Sequence, residues 1–281
     1  SGGFSYWPGN QDLSIWGTNY AGHFLLAAED LGYHVPSPMK NQWLRFQSSR
    51  ALSMRDNLTE RIYRLYLLAL ADSSAAGAMN LILENSLGEL TNLEKWLLAA
   101  SYHLSGMRST ANRIIAGAGT GVSDYEETGG TYGSTLRDQA MILDAATITR
   151  RESVADDLFA TVSSLISSDS WYSTQTSGYS LLAMGKYLES IEGPGDLLSG
   201  MIYLPSGKTI AFNTSDRTLK KDISAEVYDD GDLSATTKQL TVRIDPATSS
   251  KRVFANLEWE GQPLVSRQEG RSKNLDLSIS W

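Results

Sequence analysis

The sequence ERIYRLYLLALADS, at residues 60–73, sets the architecture of the chain. It is one of five related Leu/Ala-rich segments whose apolar residues recur at helical spacing. The other four are TNYAGHFLLAAEDLGY from Thr18, LEKWLLAASYHLSG from Leu93, LRDQAMILDAATIT from Leu136 and TSGYSLLAMGKYLE from Thr176. Successive starts lie 42, 33, 43 and 40 residues apart. A period near forty is typical of stacked helical hairpins that share one core.

Shorter or more polar helical stretches lie between these segments. They are predicted at residues 38–49, 74–85, 109–116 and 152–167. Alternation of a Leu/Ala-rich helix with a polar one is what a two-layered helical array requires. The sequence therefore predicts a mainly α-helical region, an α/α toroid or solenoid, up to about residue 191.

The pattern changes to period two after Gly193-Pro194-Gly195. A turn at residues 205–207 separates predicted strands at 201–204 and 209–212, and Asp229 to Asp232 separates strands at 223–228 and 233–244. Two more strands are predicted at 253–259 and 275–281. We therefore expect two domains, a helical one at 1–195 and an antiparallel β-rich one at 196–281.

Composition excludes several classes of function. Lys and Arg total 24 against 32 Asp and Glu, so a net charge of −8 argues against nucleic acid or an anionic membrane as the main partner. No apolar run is long enough for a transmembrane helix. Cysteine is absent, so this chain supplies no disulfide, thiolate metal site or thioester cysteine. The three histidines form no i, i+4 pair, and we predict neither a metal site nor a cofactor.

The best local candidate for a site is the loop at residues 124–133, DYEETGGTYG. Acidic and aromatic residues stand there beside glycines, directly before a predicted helix. A flexible helix connection, with glycines chosen for turning, is the alternative. Three acidic pairs are also candidates for glycosidase chemistry, which uses two carboxylates. They are Glu29/Asp30, Glu126/Glu127 and Asp156/Asp157.

Several motifs together resemble the thioester domain of bacterial alpha-2-macroglobulins. They are GGFSYWPG at 2–9, WGTNYAGHFLL at 16–26, GYHVP at 32–36, YRLYLLALA at 63–71, GAMN at 77–80, KWLLAA at 95–100, YGS at 132–134, LRD at 136–138 and STQ at 173–175. The resemblance covers nearly the whole helical part.

This resemblance implies an α/α toroid followed by a CUB-like β-domain and, from about Gly261-Gln262-Pro263, the start of a macroglobulin-like domain. It also implies that the parent protein is a broad-range protease inhibitor of the periplasm or cell envelope, and not an enzyme. A protease would cut a bait region, and a Cys-Gln thioester could then bond the attacker. Target proteases are the implied partners, and no catalytic residue or cofactor is expected.

The family's Cys-x-Glu-Gln motif lies upstream of the segment matched by Phe4 to Gly9. Two explanations for the missing cysteine stay open: the chain begins after the motif, or the protein lacks it. About nine predicted helices, where a complete toroid of this family has twelve, favour helices preceding Ser1. By the same resemblance, the loop residues expected to face a thioester are Asp124, Tyr125, Glu126, Glu127 and Tyr132.

The alternative function is an α/α-toroid carbohydrate-active enzyme, a glycosidase or lyase, with an appended β-domain. Such an enzyme places two carboxylates about 5 to 10 Å apart in an aromatic cleft. A plain binding scaffold, a third class, requires a concave surface with exposed aromatic residues instead. The tryptophans of the helical region, Trp7, Trp16, Trp43, Trp96 and Trp171, are predicted to anchor helix packing.

Overall fold

The structure is a computed structural model. It describes residues 2–7, 9, 12–168, 170–191, 198–204, 207–214, 219–223, 240–245 and 257. The chain divides into two compact units, Ser1–Gly193 and Pro194–Trp281. The described part of the first unit is helical, and that of the second contains an antiparallel sheet. The predicted order, helices followed by antiparallel strands, is confirmed.

The described residues of the first unit contain nine α-helices. They are α1 (Ile15–Asp30), α2 (Ser37–Ser49), α3 (Leu58–Leu70), α4 (Ala76–Asn85), α5 (Asn92–Leu104), α6 (Arg108–Ala116), α7 (Thr135–Ile148), α8 (Glu152–Ile166) and α9 (Thr174–Ile191). A short 3₁₀ helix, Leu87–Glu89, precedes α5. All nine helices lie within a few residues of the predicted segments.

The helices form an inner and an outer layer. The inner helices are the odd-numbered ones, and α3 shows why: every residue from 61 to 69 is buried. The outer helices bury one stripe, as α8 does with Ala155, Leu158, Phe159 and Val162. Neighbouring inner helices pack on one another in chain order, α1 on α3, α3 on α5, α5 on α7 and α7 on α9. One continuous apolar core results.

The N-terminal turns of the inner helices meet at one end of this unit. Thr59 of α3 donates to Glu94 Oε1 of α5 over 2.6 Å, and the Trp16 indole of α1 donates to Gln175 Oε1 of α9 over 2.7 Å. Because each outer helix returns the chain, the five inner helices run in the same direction. We call this the N-terminal end of the array.

Side-chain caps fix where the inner helices begin. Each of five residues accepts a hydrogen bond from a backbone N–H in the first turn: Ser14, Asn57, Thr91, Ser134 and Ser173. At Asn57 and Thr91 the cap is a complete capping box with a glutamate in the first turn. Such caps stabilise a helix by about 1 kcal/mol each, and they define the loops at the N-terminal end.

The second unit contains a three-stranded antiparallel sheet among its described residues. Its strands are β1 (Leu198–Tyr203), β2 (Thr209–Thr214) and β3 (Thr241–Ile244), in the order β2-β1-β3. Strands β1 and β2 form the predicted hairpin, with Tyr203 paired to Thr209. The predicted Asp229–Asp232 turn and the strands at 253–259 and 275–281 fall outside the described residues, except for Leu257.

The prediction that all five tryptophans anchor packing is wrong for two of them. Trp16, Trp43 and Trp96 are buried, but Trp7 is 73% and Trp171 is 75% exposed. Trp7 and Trp171 lie in segments before α1 and α9, where helical periodicity gives no guide to burial. Exposed tryptophans at a loop are a common feature of contact surfaces.

A glycine allows the closest approach between α1 and α2. The Trp43 indole of α2 donates to the carbonyl of Thr18 over 2.9 Å. A Cβ atom on Gly22 would come within 2.1 Å of that indole. Only glycine therefore lets the two helices pack at this distance.

We predict that Gly22→Ala lowers the free energy of unfolding by roughly 1–3 kcal/mol, because the added methyl group overpacks the α1–α2 contact. Gly185→Ala in α9 is the matched control, since a Cβ there meets no atom within 4 Å. It should raise stability by about 0.5–1 kcal/mol through helix propensity. Urea unfolding followed by far-UV circular dichroism measures both, and equal effects would contradict the packing argument.

Candidate functional site

The loop between α6 and α7 is folded back on itself. Glu126 forms an isolated antiparallel bridge with Ser134, and the Glu127 N–H donates to the carbonyl of Gly133 over 2.8 Å. The Tyr132 N–H closes a turn on Gly129 over 2.9 Å. These backbone bonds give the loop a defined hairpin-like conformation, rather than that of an unstructured connection.

Tyr125 fastens this loop to the first turn of α7. Its phenol donates to Asp138 Oδ2 over 2.8 Å and accepts from Arg137 Nη2 over 3.0 Å. Arg137 also donates to Asp138 Oδ1 over 2.7 Å and to the carbonyl of Thr131 over 2.9 Å. A Cβ atom on Gly133 would come within 2.6 Å of the Tyr125 hydroxyl, so glycine is required beside the ring. We call Tyr125, Arg137 and Asp138 the loop anchor.

The loop anchor continues into the core of the array. The Arg137 guanidinium lies 4.5 Å from the centre of the Trp16 ring, a cation–π contact. Trp16 in turn donates to Gln175 of α9, and Ser134 is hydrogen-bonded to Thr176 over 2.8 Å. The loop is thus held by α1, α7 and α9 together.

The five residues predicted to face a thioester have different environments. Tyr125 is partly buried, and Glu127 Oε2 accepts from Thr131 Oγ1 over 2.6 Å. Asp124 is exposed, and its Oδ1 accepts from the Thr135 hydroxyl over 3.2 Å. Glu126 is exposed on the bridge. Tyr132 is 38% exposed and has a positive φ of 49°.

The structure therefore brings Tyr125 and Glu127 close to Arg137, and Glu127 is exposed, as Asp124 and Glu126 are. In the sequence, Arg137 and Asp138 stand out only as members of the LRD motif. Their proximity to the loop could have been inferred from the position of the motif, in the first turn of the predicted α7.

Burial and charge set the protonation of the loop anchor. Burial raises the pKa of Asp138, although Arg137 and the bond from Tyr125 oppose the shift. Burial also raises the pKa of Tyr125, so its phenol stays protonated and donates. The hydrogen bond from Thr131 lowers the pKa of Glu127. A network whose polar groups are paired in this way fixes a conformation.

A second polar cluster is buried deeper between the inner helices. His23 Nδ1 lies 3.1 Å from the Tyr63 hydroxyl, which is hydrogen-bonded to the hydroxyl of Tyr179. One turn further along α3, Tyr66 donates to Asp144. We call these residues the interior cluster. The sequence predicts only that His23 has no histidine partner at i+4, and its contacts lie on α3 and α9, distant in sequence.

Lys186 gives the interior cluster one cation. Its Nζ lies 3.1 Å from Asp144 Oδ1, which makes an ion pair. Burial alone would raise the pKa of Asp144, but Lys186 and the hydrogen bond from Tyr66 together hold it below its ordinary value. Burial lowers the pKa of His23 to about 3, and Lys186 adds to the shift. His23 is therefore neutral at physiological pH.

Among the described residues, two of the predicted acidic pairs have a member bonded to another side chain. No group of three or more His, Asp or Glu side chains stands where it could hold a metal ion in the described part of the chain. Of the acidic pairs, Glu29 is an exposed partner of Lys40, and Asp156 is bonded to Tyr187. Within that same part, no helix is long and apolar enough to cross a membrane.

No protein-family model matches the chain. Two curated relatives, however, are alpha-2-macroglobulins. That of Escherichia coli K12 is 28% identical over 297 aligned residues, which cover 98% of this chain and 17% of the relative. That of Xylella fastidiosa is 28% identical over 156 residues, which cover 51% of this chain and 10% of the relative. The resemblance to bacterial alpha-2-macroglobulins is therefore confirmed along nearly the whole chain.

Solved structures show the same fold. Native E. coli alpha-2-macroglobulin matches with a TM-score of 0.60 and 24% identity, covering 76% of this chain and 14% of that one. A crystal structure of the E. coli protein from domain MG7 to the C-terminus also gives a TM-score of 0.60, at 23% identity, and the match covers 77% of this chain and 36% of that one. Salmonella alpha-2-macroglobulin reacted with methylamine gives a TM-score of 0.58 at 22% identity, and the match covers 76% of this chain and 15% of that one. The chain spans less than a fifth of the length of the curated relatives it matches.

We predict that Tyr125→Phe lowers the free energy of unfolding by about 1–3 kcal/mol, because Asp138 and Arg137 lose a buried partner. Tyr132→Phe is the control: it removes the same hydroxyl from an exposed ring and should change stability by less than about 0.5 kcal/mol. Hydrogen exchange at the Glu127 and Thr135 amides reports whether the loop opens. Equal protection in both variants would rule out the anchor.

We predict that His23 makes the helical unit acid-sensitive. In the folded state the pKa is about 3, below the ordinary value of 6.5, so the unfolded chain takes up the proton first. Stability is therefore lost as pH falls, by about 2 kcal/mol between pH 7 and pH 5. His23→Gln should flatten this slope, and the exposed His34→Gln should not. Urea unfolding across this pH range measures the difference, and a slope unchanged in His23→Gln would contradict it.

Proposed function

We propose that this chain is part of a bacterial alpha-2-macroglobulin-like protease inhibitor, with a thioester-domain-like region at 1–195 and a CUB-like region at 196–281 that leads into a macroglobulin-like domain. The observation that carries the proposal is the alignment with the E. coli protein over 98% of the chain. The two-layered array and the β-structure after it, together with the match to the solved relatives, support it.

The proposed mechanism belongs to the parent protein. A protease cuts a bait region, the parent rearranges, and the attacker is trapped. E. coli alpha-2-macroglobulin has been solved after activation by porcine elastase and by trypsin, and these proteases are model partners for the parent. We place the parent in the periplasm or envelope of a Gram-negative bacterium, where a lipid anchor would hold it near the membrane.

Where the parent carries a Cys-Gln thioester, its reaction is acyl transfer. A lysine amine of the protease attacks the acyl carbon, the carbon–sulfur bond breaks, an amide forms, and the cysteine leaves as a thiolate that takes up a proton. The 281 residues hold no cysteine, so this chain contributes only surroundings to that step.

The role we assign to this chain is to position the 124–132 loop. Asp124, Tyr125, Glu126, Glu127 and Tyr132 are proposed to face the thioester. The loop anchor holds them at the N-terminal end of the array. A fixed loop of this kind can exclude water from an acyl bond until activation. The bonds that hold the Tyr125 phenol to Asp138 and Arg137 fit a shielding role better than a catalytic one.

The test is to mix the full-length parent with trypsin or elastase and to analyse the products by denaturing gel and mass spectrometry. We expect bait cleavage and a covalent protease adduct that methylamine pretreatment abolishes. Cleavage and inhibition without an adduct would indicate a trap that works without a thioester. A parent that is neither cleaved nor inhibitory would overturn the protease-trap proposal, and a polysaccharide activity screen would then test the glycosidase alternative.

The loop role has its own prediction. In a parent that forms adducts, Tyr125→Phe should raise spontaneous hydrolysis of the thioester roughly tenfold, because a loop that opens more often admits water. Tyr33→Phe, at an exposed tyrosine outside the loop, is the control and should leave hydrolysis nearly unchanged. Thiol release over time, without protease, measures the rate. Equal rates in the parent, Tyr125→Phe and Tyr33→Phe would contradict the shielding role.

A further inference from the structure

Three arginines lie close together at the end of the array where the inner helices finish, opposite the N-terminal end. Arg108 is the first residue of α6, and Arg150 and Arg151 belong to the turn between α7 and α8. All three lie near His103, in the last turn of α5. We call Arg108, Arg150, Arg151 and His103 the basic cluster. It concentrates cations on one part of a chain whose net charge is −8.

Helix packing brings the members of the basic cluster together. Helix α5 packs on both α6 and α7, so the turn after α5 and the turn after α7 are neighbours. Arg151 Nη2 of the second turn donates to Asn112 Oδ1 of α6. Burial lowers the pKa of His103, and the charges of the three arginines lower it further. The four side chains therefore occupy one small region of the surface.

No carboxylate neutralises the three arginines within the described part of the chain. The ion pairs found there involve other residues. Glu152, the first residue of α8, is the acid nearest in sequence, and its exposed side chain forms no ion pair with them. Arg108 and Arg150 are exposed and donate no side-chain hydrogen bond to a described residue. An anion from solution can therefore reach both guanidinium groups.

The helix dipoles do not explain why arginines stand in these turns. A cation is stabilised at the C-terminus of a helix and destabilised at the N-terminus. The ends of α5 and α7 attract a cation, but Arg108 begins α6 and Arg151 is the N-cap of α8. The two effects oppose each other at both turns, so they leave little net stabilisation for a positive charge.

The backbone of Arg150 has a conformation that glycine adopts more easily. Its φ is 57°, and the Arg151 N–H closes the turn on the carbonyl of Ala146 over 2.9 Å. Helix α5 ends with the same turn, and there the equivalent residue is Gly106, with a φ of 81°. Glycine is the preferred residue at this left-handed position after a helix. The turn alone therefore gives no reason for an arginine, whereas a role for its charge does.

We propose that the basic cluster binds a phosphoryl group, a tetrahedral oxyanion with two negative charges. A guanidinium group matches the spacing of phosphate oxygens and binds them through paired N–H···O bonds. Free phosphate and the phosphoryl group of a lipid headgroup present this same chemistry. Helix α7, at 1.5 Å per residue, separates the site from the 124–132 loop by roughly 20 Å. The site is thus distinct from the proposed surroundings of a thioester and does not depend on them.

Calorimetric titration of the 281-residue chain with inorganic phosphate, at fixed ionic strength, tests the site. We expect a Kd of roughly 1 mM or below. Arg150→Gly should weaken binding roughly tenfold, because a charge-assisted contact is lost, and should still fold, because glycine readily adopts a φ of 57°. Asp72→Gly is the matched control: it changes the equivalent residue after α3, where φ is 53°, and removes no cation.

Two calorimetric results would overturn the proposal. One is equal weakening of phosphate binding in Arg150→Gly and Asp72→Gly, which would trace the effect to the backbone. The other is no binding by the unmodified chain at ten times the expected Kd. Circular dichroism of each variant verifies that the helices are retained.

His103 gives the site its own spectroscopic signal. Sulfate is the probe, since it stays doubly charged over the pH range in which histidine titrates. A bound dianion favours the protonated imidazole, so sulfate should raise the pKa of His103, followed by the imidazole proton signals. The signal of His34, which lies outside the cluster, should not respond. No effect at His103, or an equal effect at His34, would overturn the site.

Vesicles distinguish the two sources of the phosphoryl group. The chain is sedimented with phosphatidylcholine vesicles that contain or lack phosphatidic acid. Sedimentation that requires phosphatidic acid, and that Arg108→Gln weakens but Arg45→Gln does not, supports the site and identifies a lipid headgroup. Phosphate binding without sedimentation supports the site and identifies a soluble phosphate. Arg45 is an exposed arginine of α2, so equal weakening by the two variants would show an effect of net charge alone and overturn the proposal.

Discussion

The hydrogen bond between the Trp16 indole and Gln175 joins helices that are 159 residues apart in sequence, and much of the helical unit depends on it. Trp16 also packs against the Tyr63 ring, with the centres 5.2 Å apart, and lies under the Arg137 guanidinium. One side chain thus contacts α3, α7 and α9 from α1. In an array whose units pack mainly on their neighbours, such a contact brings the first and last inner helices together.

This arrangement explains why the inner helices carry polar side chains at all. Leucine and alanine alone would bury more apolar surface but would not fix which faces meet. Tyr66 and Asp144, 78 residues apart, pair only when α3 and α7 are in register. The ion pair with Lys186 offsets the cost of burying Asp144. The Tyr63 hydroxyl is paired with the His23 imidazole and with the Tyr179 hydroxyl, which offsets the cost of burying it. Not every buried polar atom is paired: His23 Nε2 and the Ser180 hydroxyl make no hydrogen bond with any described residue.

The order of the helices was predictable from sequence because two local signals agree. Apolar spacing identified each inner helix, and residues such as Thr91 and Ser134 stand where a cap is needed. Neither signal predicts which side chains that are distant in sequence contact one another. Tyr125 and Tyr132 are equivalent as residue types, yet only Tyr125 reaches Asp138, because the loop turns between them. The interior cluster was missed for the same reason.

The loop anchor and the interior cluster are linked by an unbroken series of contacts. Tyr125 bonds Arg137, the guanidinium lies on Trp16, Trp16 packs on Tyr63, and Tyr63 bonds His23. Contact alone does not transmit a signal; two discrete arrangements of a shared element are needed. Helix α1 is the element that the two clusters share, because it carries both Trp16 and His23. A displacement of α1 would therefore alter the loop anchor and the interior cluster together.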